Sequence, residues 1–268
     1  MKIMKEITIL CPPPAVLDPK GEPDVSRMTR YFNWMADHGI GGLFLNGSTG
    51  EFTILSEEQK VGIVRIAKKA VGGRMFLIAG AIAGSAKQVV SLSQKYKETG
   101  ADAIAVCPPY FFKHGQPEIV DFMTAVADRS PLPVYLYDIP AFTTPMTFDT
   151  LVALSRHPNI HGLKDSSRDF SRFQGLLAEI KHKRPEFRIF TGSEELLLAS
   201  LIMGADGATV ASAGIEPEKV MQIVRLFRQG KINEARTVQF ELLPLIRRWF
   251  VKDFPEGFRD AVKERGFL

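Results

Sequence analysis

Cysteine is scarce: Cys11 and Cys107 are the two in 268 residues, and no CxxC occurs. Their separation excludes a disulfide framework and a thiolate zinc site, and reads both as small buried hydrophobes. Long apolar runs are also missing. Stretches such as Leu196–Met203 fall well short of the roughly 20 apolar residues a membrane helix needs, so no membrane association is expected. The opening MKIMKEITILCPPP has lysines but too short an apolar stretch before its prolines for a secretion signal, which points to a cytoplasmic protein. Charge of one sign is not concentrated. The 34 Lys+Arg against 30 Asp+Glu give +4 and a pI near 9.0, scattered along the chain. This mild excess suits small anionic substrates. The densest basic run, Lys181–Arg184, has no interleaved aromatics and reads as a solvated helix end, so no nucleic-acid partner is expected. GxxxxGK[ST], HExxH, GxSxG and a GxGxxG following a strand are all absent, which removes the motif basis for nucleotide binding, metalloprotease and serine-hydrolase chemistry. His157 and His161 have HxxxH spacing, but Pro158 between them argues against the helix that would pair them on a metal.

What is present is ample apolar material, 45% of residues against 24% charged, arranged with a regular alternation. Short apolar runs at Ile7–Cys11, Gly42–Asn46, Phe76–Gly80, Ala103–Cys107, Val134–Asp138, His161–Lys164, Arg188–Thr191 and Gly207–Val210 read as strands, with segments of helical period separating most of them. Ser56 with Gln59 three residues on predicts a capping box; Ser85 and Asp169 open two further helices. Gly39, Gly100 and Gly204 stand where a glycine stops a helix. Eight such units within about 210 residues predict an α/β fold of the (β/α)8 TIM-barrel type over residues 1–215, with residues 216–268 forming a C-terminal helical extension. An open doubly wound sheet would leave strands over.

In such a barrel the chemistry sits where the strands end. The ends here are GSTGE (Gly47–Glu51), CPPY (Cys107–Tyr110), YLYDIP (Tyr135–Pro140) and GLKDSS (Gly162–Ser167). Lys164, directly after a short apolar strand, would lose water there. Burial can lower a lysine by roughly 3 to 5 units, enough to expose a neutral amine that attacks a ketone to form a Schiff base. The alternative is an ordinary ion pair with Asp165. Tyr137 ends the neighbouring strand, where its phenol is placed to move a proton to and from a substrate oxygen; a packing tyrosine is the other reading. Ser48 and Thr49 in their glycine-flanked turn offer hydroxyls and N–H groups to a carboxylate, or Gly47 and Gly50 simply allow a tight turn. In TGSEE, Gly192 can leave a carbonyl free, while Glu194 and Glu195 either face substrate or favour a helix start.

As a set, GSTGE, YDIP and GLKDSS, in that order and spacing, resemble the dihydrodipicolinate synthase / N-acetylneuraminate lyase family of Schiff-base, pyruvate-dependent aldolases. The resemblance runs from about Ile7 to Ile215. It implies that Lys164 forms the imine with pyruvate or a 2-keto acid and that Tyr137 is the proton-transferring phenol. It further implies that Ser48 and Thr49 hold the keto-acid carboxylate, Thr49 also relaying protons to Tyr137. By the same resemblance Tyr110 reaches into a neighbouring subunit's site, implying a homo-oligomer, dimer or tetramer; the Gly192 carbonyl lines the pocket, and Glu195 lies near a position that contacts sugar hydroxyls. No cofactor and no metal are implied. Two departures stand out. Phe142, in PAFTT, occupies the place where synthases carry an arginine for a second carboxylate, and a buried carboxylate without a counter-charge is costly. The first-strand Thr-Pro is replaced by prolines alone in CPPPAVLDPKG. The chain is also short for the family, as if lacking its last helix. The expected activity is therefore reversible cleavage of a 2-keto-3-deoxy sugar acid, or a related hydroxylated 2-keto acid, to pyruvate and an aldehyde. Dihydrodipicolinate synthase and a catalytically silent keto-acid binder are the alternatives, and dehydration through the same imine shares the first half of the mechanism.

Overall fold

The computed structural model describes residues 7–268, so the Met1–Glu6 stretch that entered the reading against a secretion signal lies outside the described residues. The strands β1 (Thr8–Cys11), β2 (Gly42–Leu45), β3 (Phe76–Gly80), β4 (Ala103–Val106), β5 (Val134–Asp138), β6 (Ile160–Asp165), β7 (Arg188–Thr191) and β8 (Gly207–Thr209) pair in parallel, in chain order, and β8 closes on β1. This is the (β/α)8 barrel anticipated above. Helices α1 (Val25–Asp37), α2 (Glu57–Val71), α3 (Ala86–Thr99), α4 (Gln116–Arg129), α5 (Phe148–Leu154), α6 (Phe170–Lys183), α7 (Leu197–Ile202) and α8 (Pro217–Arg228) follow the strands. Among the described residues, no helix is long and apolar enough to cross a membrane.

The local signals act as their chemistry requires. Ser56 and Gln59 exchange side-chain-to-backbone bonds at the start of α2, and Ser85 and Asp169 each accept from the third residue of the helix they open. Gly100 ends α3 in the left-handed region at φ 95°. His157, one of the two spaced histidines, lies 3.1 Å from Asp128.

The strand pleat sorts side chains into two cores. Outward residues such as Leu43, Leu77, Ile104, Leu136, Leu163 and Ile189 pack beneath the helices. Inward residues, among them Leu10, Phe44, Phe76, Tyr135, Tyr137 and Phe190, fill the barrel. Tyr135 forms part of its floor: the ring lies where a Cβ on Gly162 would be, so only glycine lets the aromatic cross to β6.

The same alternation places acids on the outside of the two strands that carry the candidate site. Asp138 and Asp165 are paired in register at the ends of β5 and β6 and both turn to Arg172 of α6. The Arg172 Nη2 donates to Asp165 Oδ2 at 2.9 Å and also to Asp138, while Nη1 donates to the Met146 carbonyl at 2.8 Å. Burial pushes the Asp138 carboxyl up, and the Met146 amide and the guanidinium work against it. One cation thus ties two strand ends and a helix together.

Beyond α8, helices α9 (Ile232–Trp249) and α10 (Glu256–Glu264) turn back over the C-terminal ends of the strands. Phe254 and Phe258 pack on each other there, and Arg259 of α10 donates to the Ala15 carbonyl at 3.2 Å and pairs with Glu51 after β2. Phe267 stacks on Tyr31 and packs against Trp34 of α1.

Removing one partner from a buried ionic cluster leaves charge unbalanced, at a cost of about 3–5 kcal/mol. Arg172→Met is expected to lose stability of that order in urea unfolding near neutral pH. The deficit should shrink as acid protonates Asp138, whose carboxyl burial pushes up; a deficit independent of pH would mean that the cluster is not what is lost.

Candidate active site

Lys164 and Tyr137 are register partners across β5 and β6, and the pleat aims both into the barrel. Lys164 is 6% exposed. Its Nζ lies 4.4 Å from the ring centre of Phe44 and 4.3 Å from that of Tyr137, so aromatic faces replace most of its water. The ion pair with Asp165 that the sequence left open does not form: Asp165 is the next residue along the strand and faces outward to Arg172. Desolvation lowers the amine from 10.5 to about 7, against the opposing pull of Glu194. A shift of that size corresponds to about 5 kcal/mol.

Tyr137 is also buried, and burial raises its phenol, opposed by the hydroxyls of Ser48 and Ser166. It is therefore a neutral proton donor at neutral pH. Ser48 Oγ lies 3.2 Å from its oxygen, and Ser166 is the other hydroxyl beside it. The adjacent Thr49, for which the resemblance implies the relay, borders the cavity over Lys164. The turn that carries both is anchored by Asn46, in the left-handed region at φ 53°. Its amide donates to the Lys60 carbonyl and to Tyr96 Oη, both at 3.0 Å.

Above Lys164 is a cavity of about 360 Å³ bordered by Thr49, Tyr137, Ser166, Gly192 and Glu194. Gly192 is required by close approach: a Cβ there would overlap Ser166 Oγ and lie 3.1 Å from Lys164 Cε. Glu194 is buried, and its Oε1 accepts from the amides of Ala211 at 2.8 Å and Ser212 at 3.4 Å. Burial pushes its carboxyl up despite those bonds. Glu195, the sequence candidate, is instead partly exposed with Oε1 3.8 Å from Arg168, and it is not among the residues that border this cavity.

A second cavity of about 320 Å³ opens on the other side of Tyr137, where Ser48, Tyr110 and Phe142 contribute to its wall. Tyr110 packs edge-to-face on Phe52 at 5.7 Å and is exposed. Phe111 beside it is 88% exposed and in the left-handed region at φ 83°. Residues that sequence reasoning did not single out complete the two cavities: Ser166, then Phe250, Phe254 and Phe258 from the C-terminal extension. Ser166 lay within the quoted GLKDSS motif, but nothing local marks the three phenylalanines, which arrive by tertiary packing.

A sequence profile described as the dihydrodipicolinate synthetase family matches residues 6–268. An uncharacterized DapA-like lyase of Thermofilum pendens is 32% identical over 246 residues, covering 90% of this chain and 80% of its own. A 4-hydroxy-tetrahydrodipicolinate synthase of Methanosphaerula palustris is 30% identical over 244 residues, covering 91% and 83%. Among solved structures, YagE of E. coli K12, a prophage protein of the dihydrodipicolinic acid synthase family in complex with pyruvate, is similar with a TM-score of 0.90. The identity is 27%, over 96% of this chain and 87% of that one.

A lysine held at about 7 in the fold and at 10.5 when free binds fewer protons folded than unfolded between those two values. Its burial therefore costs most below about pH 7, and stability recovers as pH rises toward 10.5. Lys164→Met is expected to be more stable than the parent by about 2–4 kcal/mol near pH 6, with the gain fading by pH 10. Urea unfolding at both pH values checks this; no gain at the lower pH would mean that the amine keeps its water.

Proposed function

Because the chain belongs to the dihydrodipicolinate synthetase family and is a carbon–carbon lyase of the pyruvate-dependent aldolase type, we propose that it reversibly cleaves a hydroxylated 2-keto acid to pyruvate and an aldehyde through an imine on Lys164. The observation that carries this reading is the desolvated Lys164 amine, lowered to about 7, in register with Tyr137. In the cleavage direction the neutral Nζ attacks C2 of the keto acid, and the C2 hydroxyl takes the Tyr137 proton and departs as water, leaving an iminium and the Tyr137 phenolate that accepts the next proton. The C4 hydroxyl passes its proton to the Tyr137 oxygen, the C3–C4 bond breaks, and its electron pair flows into the iminium to give an enamine as the aldehyde departs. Protonation at C3 and hydrolysis release pyruvate and restore the amine. Tyr137 serves both proton transfers, with Ser48 as the relay hydroxyl in place of Thr49. Ser48 and Thr49 donate to the keto-acid carboxylate, and the Gly192 carbonyl, whose own N–H is donated to the Asp165 carbonyl at 2.7 Å, accepts from a substrate hydroxyl.

The sugar-acid form of the substrate draws on polar Glu194 and Glu195, of which Glu194 borders the cavity over Lys164 and Glu195 lies 3.8 Å from Arg168. The synthase reading needs a cation for a second carboxylate. Phe142 also borders the cavity over Lys164, where Arg168 stands beside Glu195, so a cation is present there and the aldolase reading rests on the Lys164 and Tyr137 pair. The exposed aromatic run of Phe111 and Phe112, next to Tyr110, supports the further proposal of a homo-oligomer whose copies meet at the barrel mouth. Sedimentation of the parent as a dimer or tetramer, and of Phe111→Asp as a smaller species, is expected; a monomeric parent would remove that proposal.

Borohydride added with pyruvate is expected to leave a reduced adduct on Lys164, located by peptide mass analysis, and none in Lys164→Ala. Pyruvate condensation should rise with pH through about 7 as the amine loses its proton, and Tyr137→Phe should slow turnover about 10²- to 10⁴-fold while still forming the adduct. Bound pyruvate with no adduct would refute the imine and favour a silent binder.

A further inference from the structure

We infer that the aldehyde half of the substrate ends in an anionic group, a carboxylate or a phosphate, and that Arg168 holds it in exchange for Glu195. This rests on the imine reading above and concerns only the part of the substrate beyond C4.

Arg168 lies in the loop between β6 and α6 and borders the same cavity as Lys164, Tyr137, Gly192 and Phe142. The run proposed for contact between copies, Tyr110 to Phe112, contributes nothing to the wall of this cavity. Among the described residues that border it, Lys164 and Arg168 carry the basic side chains. The imine occupies Lys164, which leaves the guanidinium as the cation for a second anion. The backbone points the same way. Arg168 is in the left-handed region at φ 64°, where glycine is at ease and a side chain costs energy, and outliers of this kind cluster at ligand sites.

The contacts of the guanidinium leave it able to take a ligand. It lies over the Phe250 ring, 5.1 Å from its centre, so the C-terminal extension helps to position it. The carboxylate beside it is that of Glu195, with Nη2 3.8 Å from Oε1, beyond hydrogen-bond length. Both side chains are well exposed, 59% and 38%, and an ion pair in that setting is weak. A substrate carboxylate or phosphate that accepts two parallel N–H bonds from the guanidinium makes a stronger contact and displaces it. The other nearby acids are committed. Asp169 caps α6 by accepting from the Arg172 amide at 2.9 Å, and Glu194 accepts from the amides of Ala211 and Ser212. Burial also pushes the Glu194 carboxyl up, toward its neutral form, which lessens its repulsion of an incoming anion. The cation absent at Phe142, after β5, is thus supplied after β6 on the wall of the same cavity.

The test measures kcat/KM for condensation of pyruvate with two matched pairs of aldehydes, glyceraldehyde 3-phosphate with glyceraldehyde and succinic semialdehyde with butanal. Borohydride trapping of the pyruvate adduct is run on the same protein. The adduct, together with a preference of about tenfold or more for the charged member of at least one pair, is the expected result, the scale of hydrogen bonds to a charged group. The pair that shows it tells phosphate from carboxylate. Arg168→Gly suits the left-handed backbone and so removes the guanidinium without straining the loop; it should cut that preference about tenfold, and Glu195→Gln should raise it. An adduct with no preference in either pair, a preference that survives Arg168→Gly, or one that falls in Glu195→Gln overturns the inference and leaves the lyase reading standing. Absence of the adduct removes that reading and the inference with it.

Discussion

Keeping one amine out of water is the constraint around which this barrel is arranged. Lys164 can be nucleophilic near neutral pH because the surroundings of its Nζ, two ring faces and a packed strand, solvate an ammonium poorly. That arrangement costs stability, and the cost is borne by a fold with two extensive apolar cores, one inside the barrel and one between strands and helices. The geometry that makes the lysine useful also makes it unfavourable, as is common where pKa values are tuned for chemistry.

The second requirement is that Lys164 and Tyr137 keep their separation. Their backbones are adjacent ladder partners, and the next pair along, Asp138 and Asp165, is clamped from outside by Arg172. The pleat couples these two layers: Lys164 and Tyr137 point in, and the residues that hold the strand ends point out. Arg172 touches no part of the cavity, yet it holds the frame on which the cavity is built, in the way outer supports of an active site commonly do. On the far side, the extension carrying α9 and α10 supplies Phe250, Phe254 and Phe258 to the mouth, and the Arg259 to Glu51 pair ties it to the turn after β2. Barrel and extension therefore build one site.

Much of this was legible in the residues. Strand positions followed from short β-branched runs, because a strand buried on both faces has no other pattern; β3, β5 and β7 have the bounds read from the sequence, and the other strands differ from them by a residue or two. Lys164 and Tyr137 stood out because a lysine and a phenol at strand ends are chemically conspicuous. The choice between Ser48 and Thr49 was not legible. Two adjacent hydroxyls in a tight turn point in different directions, and only the turn anchored at Asn46 decides which one meets Tyr137. Glu194 and Glu195 pose the same problem at the start of a single-turn helix, where one is drawn inward to the amides of Ala211 and Ser212 and the other is left outside with Arg168.

Periodicity and side-chain reactivity are local properties, so the barrel and the conspicuous Lys164 and Tyr137 at its strand ends were readable from the chain alone. The burial of Lys164, the hydroxyls beside Tyr137 and the walls of the two cavities emerge only from packing. Desolvation, hydrogen-bond geometry and cavity walls are produced by residues far apart in the chain, such as Phe44, Lys164, Glu194 and Phe254, and no local pattern carries their convergence.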